Sequence, residues 1–261
     1  MKRIIYYSDE KNEDFAVTVK RIKPLPKGYK YTESGAVSRF LGSVLYGAVV
    51  RPLAFLYTKI KFSHAVKHGT RLKGVEGCFI YANHTLVLGD AFIPSMLDFG
   101  RRNYILTGEQ ANSLTPLLPI MRSVGMIPLT KKLPEQVRLL RCIRERISEG
   151  ASITVYPEEH VWPYYNGIRE FDERAFIYPA SLGAPVFALT NCCVGRNFLG
   201  FPKIVSYIDG PFYPDESLSK PERSKQLRDK VYEAMCARAE SESSYSQYTY
   251  VRRSMPTEEK T

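Results

Sequence analysis

Histidine is scarce in this chain: four residues in 261, alongside a single tryptophan. Any chemistry that needs an imidazole has few places to sit. Cysteine numbers five, an odd count without paired spacing, and Cys192 and Cys193 are adjacent. This suits neither a disulfide framework nor a CxxC redox or zinc motif, so reduced thiols in a cytosolic setting are expected. HExxH and other local ligand pairs are missing, and no metal or cofactor is expected. No serine or cysteine stands in a nucleophile motif. The first residues, "MKRIIYYSDEKNEDF", start basic but lack the apolar run of a secretory signal. No internal repeat is visible.

Positive charge is plentiful. Thirty-seven Lys and Arg stand against 27 Asp and Glu, giving a net charge of +10. Such a balance favours an anionic partner: nucleic acid, an anionic membrane face or acidic substrates. The basic residues are scattered and form no recognised nucleic-acid module, so nucleic acid is not the expected partner.

The composition changes along the chain and suggests four parts: a polar arm over 1–33, an apolar segment over 34–66, a main domain over 67–240 and a flexible tail over 241–261. Within the second part, "AVSRFLGSVLYGAVVRPLAFLYTKI" is mostly apolar but carries Arg51 and Pro52. An internal Arg is costly in a spanning helix, and Pro breaks helices. Two short helices joined near Arg51-Pro52 are expected, lying in a membrane interface and flanked by Arg39, Lys59, Lys61 and Lys67. Burial of the pair against the core is the alternative.

From residue 73 the pattern alternates. Strand-like runs ("CFIYA", "NYILT", "GMIPL", "SITVYP", "PVFALT") are interleaved with helix-like ones. In "PEQVRLLRCIRERISEG", Val137, Leu140, Ile143 and Ile147 recur at helical spacing. Ser219 and Glu222 form a capping-box pattern before a helix that uses Leu227, Val231, Ala234 and Met235. This alternation predicts an α/β fold with a mainly parallel sheet flanked by helices, preceded by the membrane-interacting helix pair. Sites in such sheets form at the carboxyl ends of strands, so Asn83-His84 and Pro157-Glu158 are expected on one edge.

Three segments carry chemistry. In "YANHTLVLGDAF", His84 has the pKa range of a general base, and Asp90 can hold its other ring nitrogen. Gly89 is expected to permit the tight backbone of the turn back. Alternatively, Asp90 only N-caps a helix beginning at Ala91. In "VYPEEHVW", Pro157 ends a strand and presents Glu158, Glu159 and His160. These form either a solvated turn or part of a hydrolytic site, metal-assisted or not, with His84. In "SVGMIPLTKK", Lys131 and Lys132 can meet an anion at the same edge, or simply open the next helix.

Read in order, these segments resemble the glycerolipid acyltransferases of the lysophosphatidic acid acyltransferase family. That family carries an Asn-His motif followed by Asp, a Gly-x-Ile-Pro segment ending in Arg, a Pro-Glu-Gly-Thr motif and an apolar Pro-containing strand. Here Asn83-His84 with Asp90 resembles the first and Gly125–Lys131 the second. Tyr156-Pro157-Glu158 resembles the third and Ala184-Pro185-Val186-Phe187-Ala188 the fourth. The resemblance covers about residues 70–205. The chain departs from the family in three places. Five residues separate His84 from Asp90 where the family has four. Lys131 replaces Arg, and Glu159-His160-Val161 stand where Gly-Thr-Arg is usual.

The resemblance implies transfer of an acyl group from a thioester, acyl-CoA or acyl-carrier protein, to the hydroxyl of a lysophospholipid, foremost 1-acylglycerol-3-phosphate. It implies His84 as base and Asp90 as its orienting partner. Lys131 with Lys132 would hold the acceptor phosphate, Glu158 would order that site, Asn83 and Pro157 would serve the substrate, and the enzyme would sit on anionic lipid at the cytoplasmic membrane face. A non-catalytic membrane-surface protein is the reading from another class.

Overall fold

The run Cys78–Ala82 is buried along its whole length and forms strand β3. An unbroken apolar run is what a strand covered on both faces requires. Phe79 and Tyr81 join one core, whereas Cys78, Ile80 and Ala82 join another. β3 is the centre of a seven-stranded sheet ordered β2-β8-β7-β3-β6-β4-β5. Its parallel neighbours are β6 (Ser152–Val155) and β7 (Val186–Arg196). β4 (Asn103–Thr107) and β5 (Met126–Pro128) extend the parallel part. β8 (Pro202–Phe212) pairs antiparallel with β7, and β2 (Ala65–Lys67) closes that side. The mainly parallel α/β architecture is therefore as the sequence predicts. The computed structural model describes residues 3–15, 25, 26, 28–32, 35–108, 121, 122 and 125–253. Pro24, and Ser123 with Val124 of the "SVGMIPLTKK" segment, lie outside them.

Helices cover both faces. One core is closed by the helices Leu133–Ser148 and Ile177–Leu182 and by Lys220–Glu242, which places Leu227, Val231 and Met235 against the sheet. The Ser219–Glu222 capping box that starts this last helix is present. In Leu133–Ser148 the buried stripe is Leu139, Cys142, Ile143 and Arg146, while Val137 and Leu140 are exposed. The helical period is right but the face is rotated. Two stripes satisfy the spacing, and packing against the sheet selects between them.

The expected helix pair is one continuous helix, α1, Ala36–Phe62, long and apolar enough by composition to cross a membrane. A π-helical stretch, Leu45–Val50, immediately precedes Arg51-Pro52. The wider turn admits a proline that would otherwise collide with the preceding turn, so the helix continues. Arg51 also docks it. Its guanidinium donates to the carbonyls of Asp98, Phe99 and Arg101. Ala54, Thr58 and Phe62 are buried, while Phe40, Leu41, Leu53, Phe55, Leu56 and Ile60 are exposed. The helix thus lies along the domain with an exposed apolar face.

Within the expected loose arm and flexible tail, two described segments are ordered as strands. Arg3–Tyr7 (β1) pairs in parallel with Tyr248–Arg252 (β9) as a separate two-stranded sheet. "RIIYY" and "YTYVR" are rich in β-branched and aromatic residues, which favour pairing once they have a surface to pack on. Trp162 supplies that surface, with rings of Tyr7, Phe15 and Tyr250 within 4.7–5.2 Å of its own.

Arg51→Ala should lower the unfolding free energy by about 2 kcal/mol or more, because charged donors to three carbonyls are lost at once. Denaturant unfolding monitored by circular dichroism checks this. A change below 0.5 kcal/mol, about the size typical of neutral surface substitutions, would contradict the docking role.

Candidate active site

β3 and β6 run parallel with Tyr81 opposite Val155, so the first residues beyond their carboxyl ends emerge side by side. His84, two residues beyond β3, and Glu158, three beyond β6, are among them. The backbone N–H of His84 donates to Glu158 Oε2 at 3.2 Å. The shared edge expected from the sequence is therefore present. Further on, Trp162 N–H donates to His84 O at 3.0 Å and Tyr164 N–H to Thr85 O at 2.9 Å, which ties the two loops together.

His84 Nδ1 lies 2.7 Å from Asp90 Oδ2. The same oxygen accepts the backbone N–H of Leu86 at 2.8 Å. Asp90 therefore reaches backwards across the turn and does not cap the helix that contains it, Gly89–Phe92. The extra residue before Asp90 is absorbed within this turn, and the carboxylate still arrives. Gly89 has a different role from the one expected. Its φ is not positive, but a Cβ there would stand 2.8 Å from Leu86 Cβ and 2.9 Å from the Phe62 ring. Glycine is needed for close approach to α1, not for turn geometry.

An ionised Asp90 fixes the imidazole as the Nδ1–H tautomer and leaves Nε2 as a free acceptor. Tyr156 reinforces the pose. Its ring stacks on His84 at 4.5 Å between centroids, and its hydroxyl donates to the Asp90 carbonyl at 2.5 Å. Burial pushes the Tyr156 phenol well above its ordinary value, so it remains a donor. Burial also holds the Asp90 carboxyl above the usual carboxylate range, opposed by hydrogen bonds from His84, Leu86 and Thr85. The His84 side chain is 19 % exposed against 2 % for Asp90, so the ring is reachable and its partner is not.

Glu158 is inside the protein. It pairs with Arg169 at 2.9 Å (Nη2 to Oε2), and Arg169 N–H donates to Oε1 at 3.1 Å. Burial raises the Glu158 carboxyl and the Arg169 charge lowers it, with burial the larger influence. Arg169 also donates to the His160 carbonyl and lies over Trp162, 5.1 Å from the ring centroid. Nothing in "NGIREF" marks this arginine. Its sequence distance of 11 residues from Glu158 fits no local motif. Tyr156 was likewise legible only as the end of a strand.

The remaining expected residues divide. Pro157, two residues beyond β6, is buried. Asn83, only 1 % exposed, is used by the fold: its Nδ2 donates to Asn191 O at 3.1 Å and its Oδ1 accepts Asn191 N–H at 2.8 Å. It extends the β3–β7 pairing and is not available to substrate. Lys131 and Lys132 are exposed beyond β5, on the same edge but three strands from β3. Lys132 Nζ donates to the Leu25 carbonyl at 3.4 Å. His160 Nδ1 is 3.6 Å from Asp14. Among the described residues, no three His, Cys, Asp or Glu side chains form a group able to hold a metal.

Glu159 has φ +63°, a left-handed conformation that favours glycine. This is the position at which the resembled family carries Gly. Glu159→Gly relieves strain of about 1 kcal/mol and gains unfolded-state freedom of similar size. Its unfolding free energy should therefore match or slightly exceed that of the parent. Glu159→Val, which is β-branched, should lose about 1 kcal/mol or more. Urea unfolding of the two variants checks the contrast, and equal stabilities would contradict it.

No known family profile matches the chain, and no curated protein matches it in sequence. Among solved structures it is similar to the 1-acyl-sn-glycerophosphate (LPA) acyltransferase PlsC from Thermotoga maritima. That similarity has a TM-score of 0.53 and 18 % identity, covering 78 % of this chain and 92 % of the other. A match to the Legionella pneumophila ATPase DotB, at a TM-score of 0.27 and 7 % identity, carries no argument. What the first comparison establishes is the fold: a mixed α/β domain with a mostly parallel central sheet, preceded by a long apolar helix, of the kind seen in the Thermotoga acyltransferase.

Proposed function

We propose that this protein is an O-acyltransferase that moves a fatty acyl group from an acyl thioester to the free hydroxyl of a lysophospholipid, foremost 1-acylglycerol-3-phosphate. The observation that carries the reading is the 2.7 Å contact between His84 Nδ1 and the buried Asp90, with the ring still accessible at the carboxyl edge of β3. The fold shared with the Thermotoga enzyme supports the same class. The exposed apolar face of α1 supports work at a membrane surface, in this reading the cytoplasmic one.

In this mechanism Nε2 of His84 takes the proton of the acceptor hydroxyl as its oxygen attacks the thioester carbonyl. The tetrahedral intermediate collapses, the C–S bond breaks, and the imidazolium returns its proton to the departing thiolate. Asp90 holds the ring and stabilises its charged form. A positioned base contributes roughly 10²–10⁴-fold, and the rest comes from holding donor and acceptor in line. No covalent acyl-enzyme is needed. Glu158 and Arg169 act indirectly, by fixing the loop on which His84 stands.

Lys131 and Lys132 are proposed to hold phosphate. Three strand spacings separate β5 from β3, about 14 Å. That span suits the distal phosphates of a long donor such as acyl-CoA, or an acidic carrier protein, better than the phosphate of a glycerol whose hydroxyl sits on His84.

Acyl transfer to a panel of lysophospholipids, with product masses measured, tests the reading. His84→Ala should lose about 10²–10⁴-fold in kcat. Asp90→Asn should lose activity strongly while keeping its stability at pH 7. A carboxyl raised by burial weakens folding as pH climbs past its titration, and the amide avoids that cost. Near-parental turnover by His84→Ala, or vesicle binding with no transfer from any donor, would contradict the proposal.

The double variant Lys131→Ala/Lys132→Ala should raise KM for the donor several-fold and leave KM for the acceptor nearly unchanged. Steady-state kinetics with each substrate varied checks this, and a rise confined to the acceptor would overturn the assignment to the donor.

A further inference from the structure

The turn joining β7 to β8, "NFLGF", carries the most exposed large apolar side chain among the described residues: Phe198 is 87 % exposed. Leu199 is 48 % and Phe201 36 % exposed. β7 is far longer than its neighbour β3. β3 ends at Ala82, paired with Leu189, and β7 continues to Arg196. Those seven further residues span about 23 Å at 3.3 Å each. The turn therefore stands well beyond the end of β3, on the side where His84 emerges.

It does not stand there free. Asn197 Nδ2 donates to the carbonyls of Ile60 and Lys61 at 3.0 and 3.2 Å, satisfying the last turn of α1. Asn197 Oδ1 accepts the N–H groups of Leu199 and Phe201, each at 3.0 Å, which fixes the turn's shape. Lys61 Nζ lies 3.4 Å from the Phe201 ring centroid. A rigid turn has thus been fastened to the end of a helix whose outer face is itself apolar. Val87 and Leu88, on the loop that leaves His84, are exposed as well.

Charge runs the same way. Residues 34–75, which include all of α1, contain no Asp or Glu. Neither do residues 191–208, which include the turn. Lys59, Lys61, Arg196 and Lys203 flank the apolar tip.

We infer that the β7–β8 turn is a second membrane-insertion element, seating Phe198 and Leu199 among the acyl chains of an anionic bilayer while the neighbouring cations meet its headgroups. With α1 it gives two points of attachment, which orient the carboxyl edge of the sheet towards the lipid surface. This rests on the membrane-lipid reading above and adds to it where the enzyme touches the bilayer.

The test is sedimentation with vesicles of phosphatidylcholine and phosphatidylglycerol, using three full-length proteins: the parent, Phe198→Ser/Leu199→Ser, and Leu53→Ser/Leu56→Ser on α1. Loss of two inserted apolar side chains should lower partitioning of the turn variant about tenfold or more, with an unchanged melting temperature. If the parent does not bind, the membrane reading fails and the inference with it. If the parent binds, the α1 variant loses binding and the turn variant does not, the inference alone is overturned. A turn variant that binds normally but changes from dimer to monomer in sedimentation velocity also overturns it, in favour of a second copy as occupant. A second measurement does not depend on the tolerance of that variant. F198W should show a blue-shifted emission on vesicles and be quenched by brominated lipid, whereas emission indifferent to brominated lipid would overturn the inference.

Discussion

A carboxylate cannot be buried alone, and the site is organised around that constraint. Glu158 leaves β6 with both faces of the sheet already covered, so its charge needs partners inside the protein. It takes them from two residues: His84 through its backbone N–H, and Arg169 through both its guanidinium and its backbone N–H. The first locks the end of β3 to the end of β6. The second pulls residues 160–169 back over the strand ends. Removing one member of such a pair costs roughly 3–5 kcal/mol, because the other is left charged and unpaired. The position of the His84 backbone is thus a consequence of how Glu158 is neutralised.

The chain ends contribute to the same loop. Trp162 Nε1 donates to the Glu13 carbonyl at 2.8 Å, Phe15 N–H to the Val161 carbonyl at 3.2 Å and the Tyr250 hydroxyl to the Pro163 carbonyl at 2.8 Å. β1 and β9 therefore form a strap that holds the outside of the loop, while Glu158 holds the inside. Asp90 and Tyr156 then set the orientation of the ring itself. Backbone position and ring orientation come from separate sets of contacts, so each can be weakened without the other.

Much of this was legible from the sequence, and the limits have physical causes. The doubly buried β3 reads directly as "CFIYA", and the alternation of elements gives the parallel sheet. His84 and Glu158 stand just beyond strand ends that local residues define, and Asp90 follows His84 in the short helix after the turn. The reach of Asp90 back to His84 was in doubt because a turn's closure depends on its packing, here on Gly89 meeting Phe62. Arg169 and the strap could not be read, since both are set by contacts between residues far apart in sequence. β8 was missed for the same reason: its antiparallel place beside β7 is a tertiary choice. Arg51-Pro52 was read as a helix break because the π-helical turn that accommodates Pro52, and the carbonyls that accept from Arg51, are not local signals. Asn83 looked like a ligand group because a polar residue at a strand end is ambiguous until its partner, the backbone of Asn191, is known.

The central claim is that Asp90 presents His84 with Nε2 unprotonated and free to act as a base. Nitrogen-15 NMR of histidine-labelled protein measures this directly, and with four histidines the assignment is tractable by substitution. At neutral pH the His84 ring should show the Nδ1–H tautomer, and Asp90→Asn should abolish that preference. An Nε2–H tautomer in the parent, or the same tautomer with and without the Asp90 carboxylate, would contradict the account.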